Sequence, residues 1–222
     1  MKLTIFAATG GIGRHALDQA MAAGHDVTAV VRDPTRLAGV DARIVAADLA
    51  APGQAALESA VGGADAVLSG LGPRSKADAG IASRGTRAIV DAMQVRGAQR
   101  LVVVSAAPIG TVPSPGRPAP PKDDPGDGFF MRHLFSHVAH VAFREHYADL
   151  ALMEDVVRRS GLDWTIVRPP KLTDRPPTGT YRTASGLNIR GGWSVPRADV
   201  ADLMLRVLDR PETVGQVIGV AS

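Results

Sequence analysis

The residue types best suited to chemistry stand near the amino end, in Ala7-Ala8-Thr9-Gly10-Gly11-Ile12-Gly13-Arg14. A short apolar run, Leu3–Ala7, enters a glycine-rich turn there and passes straight into residues with helical spacing. Missing Cβ atoms at Gly10 and Gly13 let main chain approach a pyrophosphate, whose charge then meets the free N–H groups and dipole of the following helix. Ala8, Thr9, Gly10, Gly11, Ile12 and Gly13 are therefore the expected phosphate loop. A second group follows in Val30-Val31-Arg32-Asp33-Pro34-Thr35-Arg36. At the end of a second strand, an acid would grip a ribose 2′-hydroxyl, whereas arginine would pair with a 2′-phosphate. Asp33 lies 20 residues beyond Gly13 and leaves NAD open. Arg32 at the strand tip, with Arg36 as a second donor, turns the expectation to NADP(H).

Such a loop works only if strands and helices alternate around it. Five short apolar runs read as buried strands: Leu3–Ala7, Val27–Val31, Arg43–Ala47, Ala66–Ser69 and Leu101–Val104. Between them, Ile12, Ala16, Leu17, Ala20 and Met21 share one helical face, as do Ile81, Ala88, Ile89, Ala92 and Met93. This alternation predicts βαβ units, right-handed crossovers and a Rossmann-like, doubly wound parallel sheet. From Pro108 to Pro125, seven of 18 residues are proline, which predicts an extended surface loop. Phe129 to Ser160 reads as a long helical region, broken near Glu145, with Gly161 ending it. A sixth strand at Asp163–Val167, a turn at Arg168-Pro169-Pro170, a hairpin arm within Tyr181–Asn188, a helix over Asp199–Asp209 and a strand at Gln216–Val220 complete the chain. The organisation is one α/β domain over residues 1–222 with an aromatic and histidine-rich insertion at 108–146.

Composition removes several classes. The chain has no cysteine, so disulfides, thiolate metal sites and cysteine nucleophiles are excluded. The formal charge is only +3, and the arginines are scattered, so no nucleic-acid groove is expected. The longest apolar runs are strand-sized and no separate signal region precedes Leu3, so a soluble cytoplasmic protein without a membrane partner is expected. His133, His137 and His140 share one helix face at a spacing that could ligate zinc. No carboxylate stands within the triplet, and Phe129, Phe130, Leu134, Phe135 and Phe143 around it read as packing groups or an aromatic lid over a flat ring. No metal is expected.

Ala7-Ala8-Thr9-Gly10-Gly11-Ile12-Gly13 together with Val31-Arg32-Asp33-Pro34 resembles the atypical short-chain dehydrogenase/reductases, and within them the NAD(P)H-binding group that contains biliverdin-IXβ/flavin reductase, with the NmrA-like regulators as more distant relatives. The likeness continues through Ala46-Ala47-Asp48-Leu49, Leu71-Gly72-Pro73-Arg74, Arg168-Pro169-Pro170-Lys171-Leu172-Thr173-Asp174 and Pro177-Thr178-Gly179-Thr180-Tyr181. It covers most of the chain except about residues 109–145. One departure is Ala7, where the first motif glycine should stand. Its methyl group suits that turn if φ is negative, and it bears on how the pyrophosphate sits. By the resemblance, Asp48 meets the adenine (a helix N-cap being the alternative). Arg74 flanks the cofactor and acceptor pocket (or is a solvated loop charge), and Leu71 and Gly72 lie beside the bridging ribose. The Arg197-Ala198-Asp199-Val200 segment resembles a helix start in which the acid caps the N-terminus.

The proton chemistry decides the acceptor. Hydride transfer to a carbonyl needs a proton donor, which this family class usually supplies with Tyr-x-x-x-Lys. Four residues after Tyr147 stands Ala151, and four after Tyr181 stands Ser185. Tyr147 is left to donate directly or to serve structure. Ser105, ending the fifth strand, and Lys171, after the sixth, should face the crevice at the strands' carboxyl ends. Ser105 would hydrogen-bond substrate or cofactor, or cap its strand. Lys171 would hold an anionic flavin phosphate or stand in water. A flavin such as FMN or riboflavin, or a quinone, accepts hydride without a Tyr-Lys pair. The expectation is an NADPH-dependent reductase of a flat acceptor. The alternatives are a non-catalytic NAD(P)H sensor with a protein partner, and an extended-type carbonyl reductase or epimerase, which the missing dyad disfavours.

Overall fold

Strands that are apolar on both faces have no stable place except inside a sheet covered on both sides. Ala66–Ser69 is buried at every residue and Lys2–Phe6 at all but its first. The structure, a computed structural model, describes residues 1–73, 78–126 and 144–222. In it β1 (Lys2–Phe6), β2 (Asp26–Val31), β3 (Arg43–Ala46), β4 (Ala66–Ser69), β5 (Arg100–Val104), β6 (Asp163–Arg168) and β10 (Gln216–Ala221) are parallel, and β8 (Arg182–Ser185) adds an antiparallel edge. The order is β3-β2-β1-β4-β5-β6-β10-β8. The order reverses between β1 and β4, whose register runs from Leu3 opposite Ala66 to Phe6 opposite Ser69. A crevice at the carboxyl ends of these strands is where an open α/β sheet takes its ligand.

Alternate residues of each strand feed two cores. Phe6, Val30, Val67, Leu101, Val103 and Ile166 face α2 (Gln54–Val61), α3 (Ile81–Arg96) and α4 (Arg144–Arg158). Ile5, Ala29, Leu68, Val102 and Val167 face α1 (Gly11–Ala22) and α5 (Arg197–Arg206). The first of these helical layers is tied by an acid from a neighbour. Gly80, the N-cap residue of α3, lies in the left-handed region, φ +76°, and offers no side chain to cap the helix. Asp149 of α4, buried, instead accepts from the Ala82 and Ser83 amides at 3.0 Å each. It satisfies two of the amides that a helix start leaves without internal partners.

Three expectations change. The proline-rich segment is not confined to the surface. Pro108 opens a 3-10 turn over Ala107–Thr111, where a missing N–H costs nothing. Ile109 and Val112 join the core beneath α4. The Ser114 hydroxyl and Gly116 N–H both donate to the Asp155 carboxylate, at 2.9 and 2.7 Å. Asp199 does not cap α5, which starts from Pro196 without a side-chain cap. Fully buried, its carboxylate accepts from Thr178 N–H, Gly179 N–H and the Thr178 hydroxyl at 2.9, 3.1 and 2.6 Å, pinning the preceding loop. Finally, Lys171–Thr173 (β7) and Ser194–Pro196 (β9) pair in a separate two-stranded parallel sheet. The described helix within 129–160 is Arg144–Arg158; the histidine triplet, the aromatic lid and Arg74 lie outside the described residues.

Candidate functional site

The turn after β1 is closed by its own main chain. The Gly10 amide donates to the Ala7 carbonyl at 2.7 Å, and Ala7 adopts φ +55°. The condition under which its methyl group would sit without strain, a negative φ, is not met. The turn geometry that favours glycine is kept, and alanine carries the strain of the left-handed region, about 1–2 kcal/mol. A Cβ at Gly13 would run into the Ala7 carbonyl, and one at Gly70, after β4, would lie 3.1 Å from the Gly13 nitrogen. These glycines are required because two strands and a helix start converge there. α1 begins at Gly11 with Gly10 as N-cap, no side-chain cap and no acid in its first turn. Its first amides thus have no side-chain anion from their own segment.

Beside this turn lies an open cleft of about 270 Å³. Its lining includes Ala7, Thr9, Val30, Val31, Leu49, Leu71, Gly72 and Ile81. Arg32, Asp33, Arg36, Asp48 and Asp78 are its charged lining residues. Arg32 and Arg36 are exposed, and neither guanidinium group makes a hydrogen bond or salt bridge within the described residues. Asp33 is occupied: one carboxylate oxygen accepts from the Thr35 N–H at 3.1 Å and its hydroxyl at 2.6 Å, capping a 3-10 turn over Pro34–Leu37. The Thr35 hydroxyl and amide hold the Asp33 carboxyl below the usual carboxylate value, with Arg36 adding to them. Asp48 accepts from the Ala50 amide at 3.0 Å. It caps a turn rather than α2, which starts from Gly53, and its side chain still lines the cleft.

The carboxyl ends of β5 and β6 are arranged differently. Ser105 is buried, and its hydroxyl donates to Glu154 at 2.7 Å, so it is not presented to the crevice. Glu154 is gripped through both oxygens by Arg168, at 2.8 and 2.6 Å, and Arg158 stands 3.3 Å away. Burial alone would push the Glu154 carboxyl up, but these partners together hold it below the ordinary value. A neighbouring cavity lined by Arg168, Pro170 and Asn188 measures about 20 Å³, room for a water rather than a substrate.

Tyr147, near the start of α4, is half-buried against the core, and burial pushes its hydroxyl's pKa up. His146 beside it has a buried Nδ1 without a partner among the described residues, and burial pushes its pKa down. Lys171 is exposed on β7, held through its amide to the Trp193 carbonyl at 3.3 Å.

Sequence reasoning missed Asp149 and Glu154. The available signal was position: Leu150, Met153, Glu154 and Val157 share one buried helical stripe, so Glu154 occupies a core site that demands a partner.

A glycine-lined turn, uncapped helix amides and an open cleft beside them fit a dinucleotide. Comparisons with known proteins point the same way. A family model described as NAD(P)H-binding matches residues 7–211. UPF0659 protein C216.03 of Schizosaccharomyces pombe is 29% identical over 189 residues, covering 80% of this chain and 74% of that protein. A Rossmann-fold NAD(P)-binding family protein from Shigella flexneri is 25% identical with TM-score 0.68, covering 100% of this chain and 93% of that one. ChuY, described as an anaerobillin reductase, from Escherichia coli O157:H7 is 24% identical with TM-score 0.77, covering 100% and 97%. A wide-type short-chain dehydrogenase/reductase from Veillonella parvula, solved in complex with NADP, is 18% identical with TM-score 0.75, covering 100% and 94%. The last two are likenesses of fold. Among the described residues, no helix is long and apolar enough to cross a membrane.

Proposed function

The chain belongs to the NAD(P)H-binding family, and on that premise we propose that it is a reductase that prefers NADPH and delivers hydride directly to a flat conjugated acceptor such as a flavin or quinone. The observation that carries the cofactor preference is the pair Arg32 and Arg36, exposed at the cleft with guanidinium groups that make no hydrogen bond or salt bridge among the described residues, beside an Asp33 with one carboxylate oxygen engaged by Thr35. Two open guanidinium groups suit a 2′-phosphate, while Asp33 has one of its two oxygens already engaged by Thr35. Ala8, Thr9, Gly10, Gly11, Ile12 and Gly13 cradle the diphosphate. Asp48 and Leu49 border the adenine, and Leu71 and Gly72 border the bridging ribose. The bound nicotinamide supplies the hydride.

The acceptor reading rests on what the chain's own residues offer a proton. Tyr147 has no lysine four residues on, and burial moves its pKa up, opposite to the shift that a partner lysine gives. Its hydroxyl keeps its proton at neutral pH and serves as a weak hydrogen-bond donor. The Ser105 hydroxyl is spent on Glu154. Lys171, exposed after β6, would meet an anionic group such as the FMN phosphate. An acceptor that needs only hydride and a solvent proton suits this set better than an alcohol or a sugar nucleotide.

The same commitment of Ser105 favours a second reading, a dinucleotide-binding sensor without turnover. Following NADPH absorbance with FMN, riboflavin, biliverdin and quinones separates the two. Oxidation with at least one of them, at a rate lowered by Tyr147→Phe far less than a carbonyl reductase would suffer, supports the reductase. Tight NADPH binding without oxidation of any supports the sensor.

A further inference from the structure

We infer that Arg197, held in place by Asp174, is an additional ligand for the diphosphate of the bound dinucleotide, an inference that rests on the nicotinamide-cofactor reading above. It begins with a glycine that the backbone does not require. Gly11 is the first residue of α1 and is absent from the chain's left-handed glycines. Glycine is disfavoured there relative to alanine. What its missing side chain makes room for is Arg197: a Cβ at Gly11 would stand 2.7 Å from both Cδ and Nε of that residue.

Arg197 reaches this position along α1. It is the first residue of α5, which packs on α1, and the Gln19 side chain donates to the Ala198 carbonyl at 2.9 Å. Gln19 lies eight residues beyond Gly11, about 12 Å further along the axis. The Arg197 side chain therefore reaches toward the amino end of α1, at Gly11. There Nη1 donates to the Asp174 carboxylate at 2.7 Å, while Nε and Nη2 have no hydrogen-bond partner among the described residues. The Arg197 side chain is 27% exposed, against 86% for Asp174. The loop carrying Asp174 is pinned a few residues on by the buried Asp199 through Thr178 and Gly179. A guanidinium is thus stationed with donors to spare beside amides that lack an anion of their own, where dipole and cation act on a phosphate together.

This role differs from that of Arg32 and Arg36. Those two address a group that only NADPH carries, whereas Arg197 addresses one common to NADPH and NADH. Calorimetric titration of the full chain with both nucleotides, at low and high salt, reads the difference. Arg197→Ala should weaken both nucleotides by the same factor, about tenfold for one lost charge-assisted contact, and flatten the salt dependence. Arg32→Ala should weaken NADPH alone. Gly11→Ala should displace the guanidinium and weaken both nucleotides, and adding it to Arg197→Ala should cost little more. Thermal unfolding of each variant confirms that the chain is folded. The proposal is overturned if wild type binds nucleotide and Arg197→Ala binds it within twofold as well. Additive Gly11→Ala and Arg197→Ala losses would also overturn it, since the glycine would then serve something else. A wild-type chain that binds neither nucleotide removes the cofactor reading first, and this inference with it.

Discussion

At one end of the sheet's carboxyl edge, near β2 and β3, Arg32, Arg36 and Asp48 stand in water around an open cleft. Near β5 and β6 the same edge is filled, with Ser105, Glu154 and Arg168 buried together and the proline-rich segment anchored beside them on Asp155. Both ends hold charged residues, but their energetics are opposite. Charges in the open cleft have paid nothing to leave water and keep their donors for a ligand. Those in the closed end have lost their hydration and are tolerable only because each satisfies another. An exposed charge bordering a cleft is thus a binding signal, whereas a buried one of equal sequence prominence belongs to the scaffold.

Breaking the closed end should give the largest effect. Arg168→Ala leaves the Glu154 charge buried with a weaker partner and should cost about 3–5 kcal/mol in urea unfolding at pH 7. Its pH dependence should also change sign. In wild type the folded Glu154 carboxyl titrates below its unfolded value, because Arg168, Ser105 and Arg158 outweigh burial. The stability it contributes is present above the unfolded pKa and is lost as pH falls through the folded one. In Arg168→Ala burial dominates, the folded pKa rises, and the deficit against wild type should shrink on acidification. A deficit that grows instead would show that Glu154 is not the charge left behind.

Breaking the open end should move binding and spare the fold. Arg32→Ala should cost about 1.5–3 kcal/mol in NADPH affinity by calorimetry, and less than about 0.5 kcal/mol in unfolding. NADH affinity should stay as it was. If stability falls as much as affinity, the contrast between the two ends is wrong. Asp149→Ala, in the helical layer between them, should destabilise by about 1–3 kcal/mol, since two amides of α3 lose their acceptor. The smallest effect belongs to Ala7→Gly. Relief of a left-handed alanine is partly offset by a freer unfolded chain, so stability should rise by no more than about 1 kcal/mol.

Much of this was legible beforehand, and for a local reason. The sheet's main parallel strands and their helices came from apolar runs and helical spacing, and the phosphate turn came from glycines that converging main chains require. Three-residue strands such as β7 and β9 carry no periodicity to read. Burial of Ile109 and Val112 depends on Asp155 and α4, distant in sequence. Ser105 looked like a crevice hydroxyl because its strand position was right, but its partner, Glu154, lies 49 residues away. Arg197 read only as part of a helix start that Asp199 would cap, because the lane beside Gly11 exists only once two helices are packed.

The carboxylate that α4 lends to the start of α3 also binds the two helices into one cooperative unit. Neither can fray at that end without baring groups in the other, so the amides of Ala82 and Ser83 should exchange with deuterium in step with the first turns of α4. Ile81, next to them, lines the cleft. Slower exchange on adding nucleotide would therefore extend to Tyr147 and its neighbours, carried by a single shared acid.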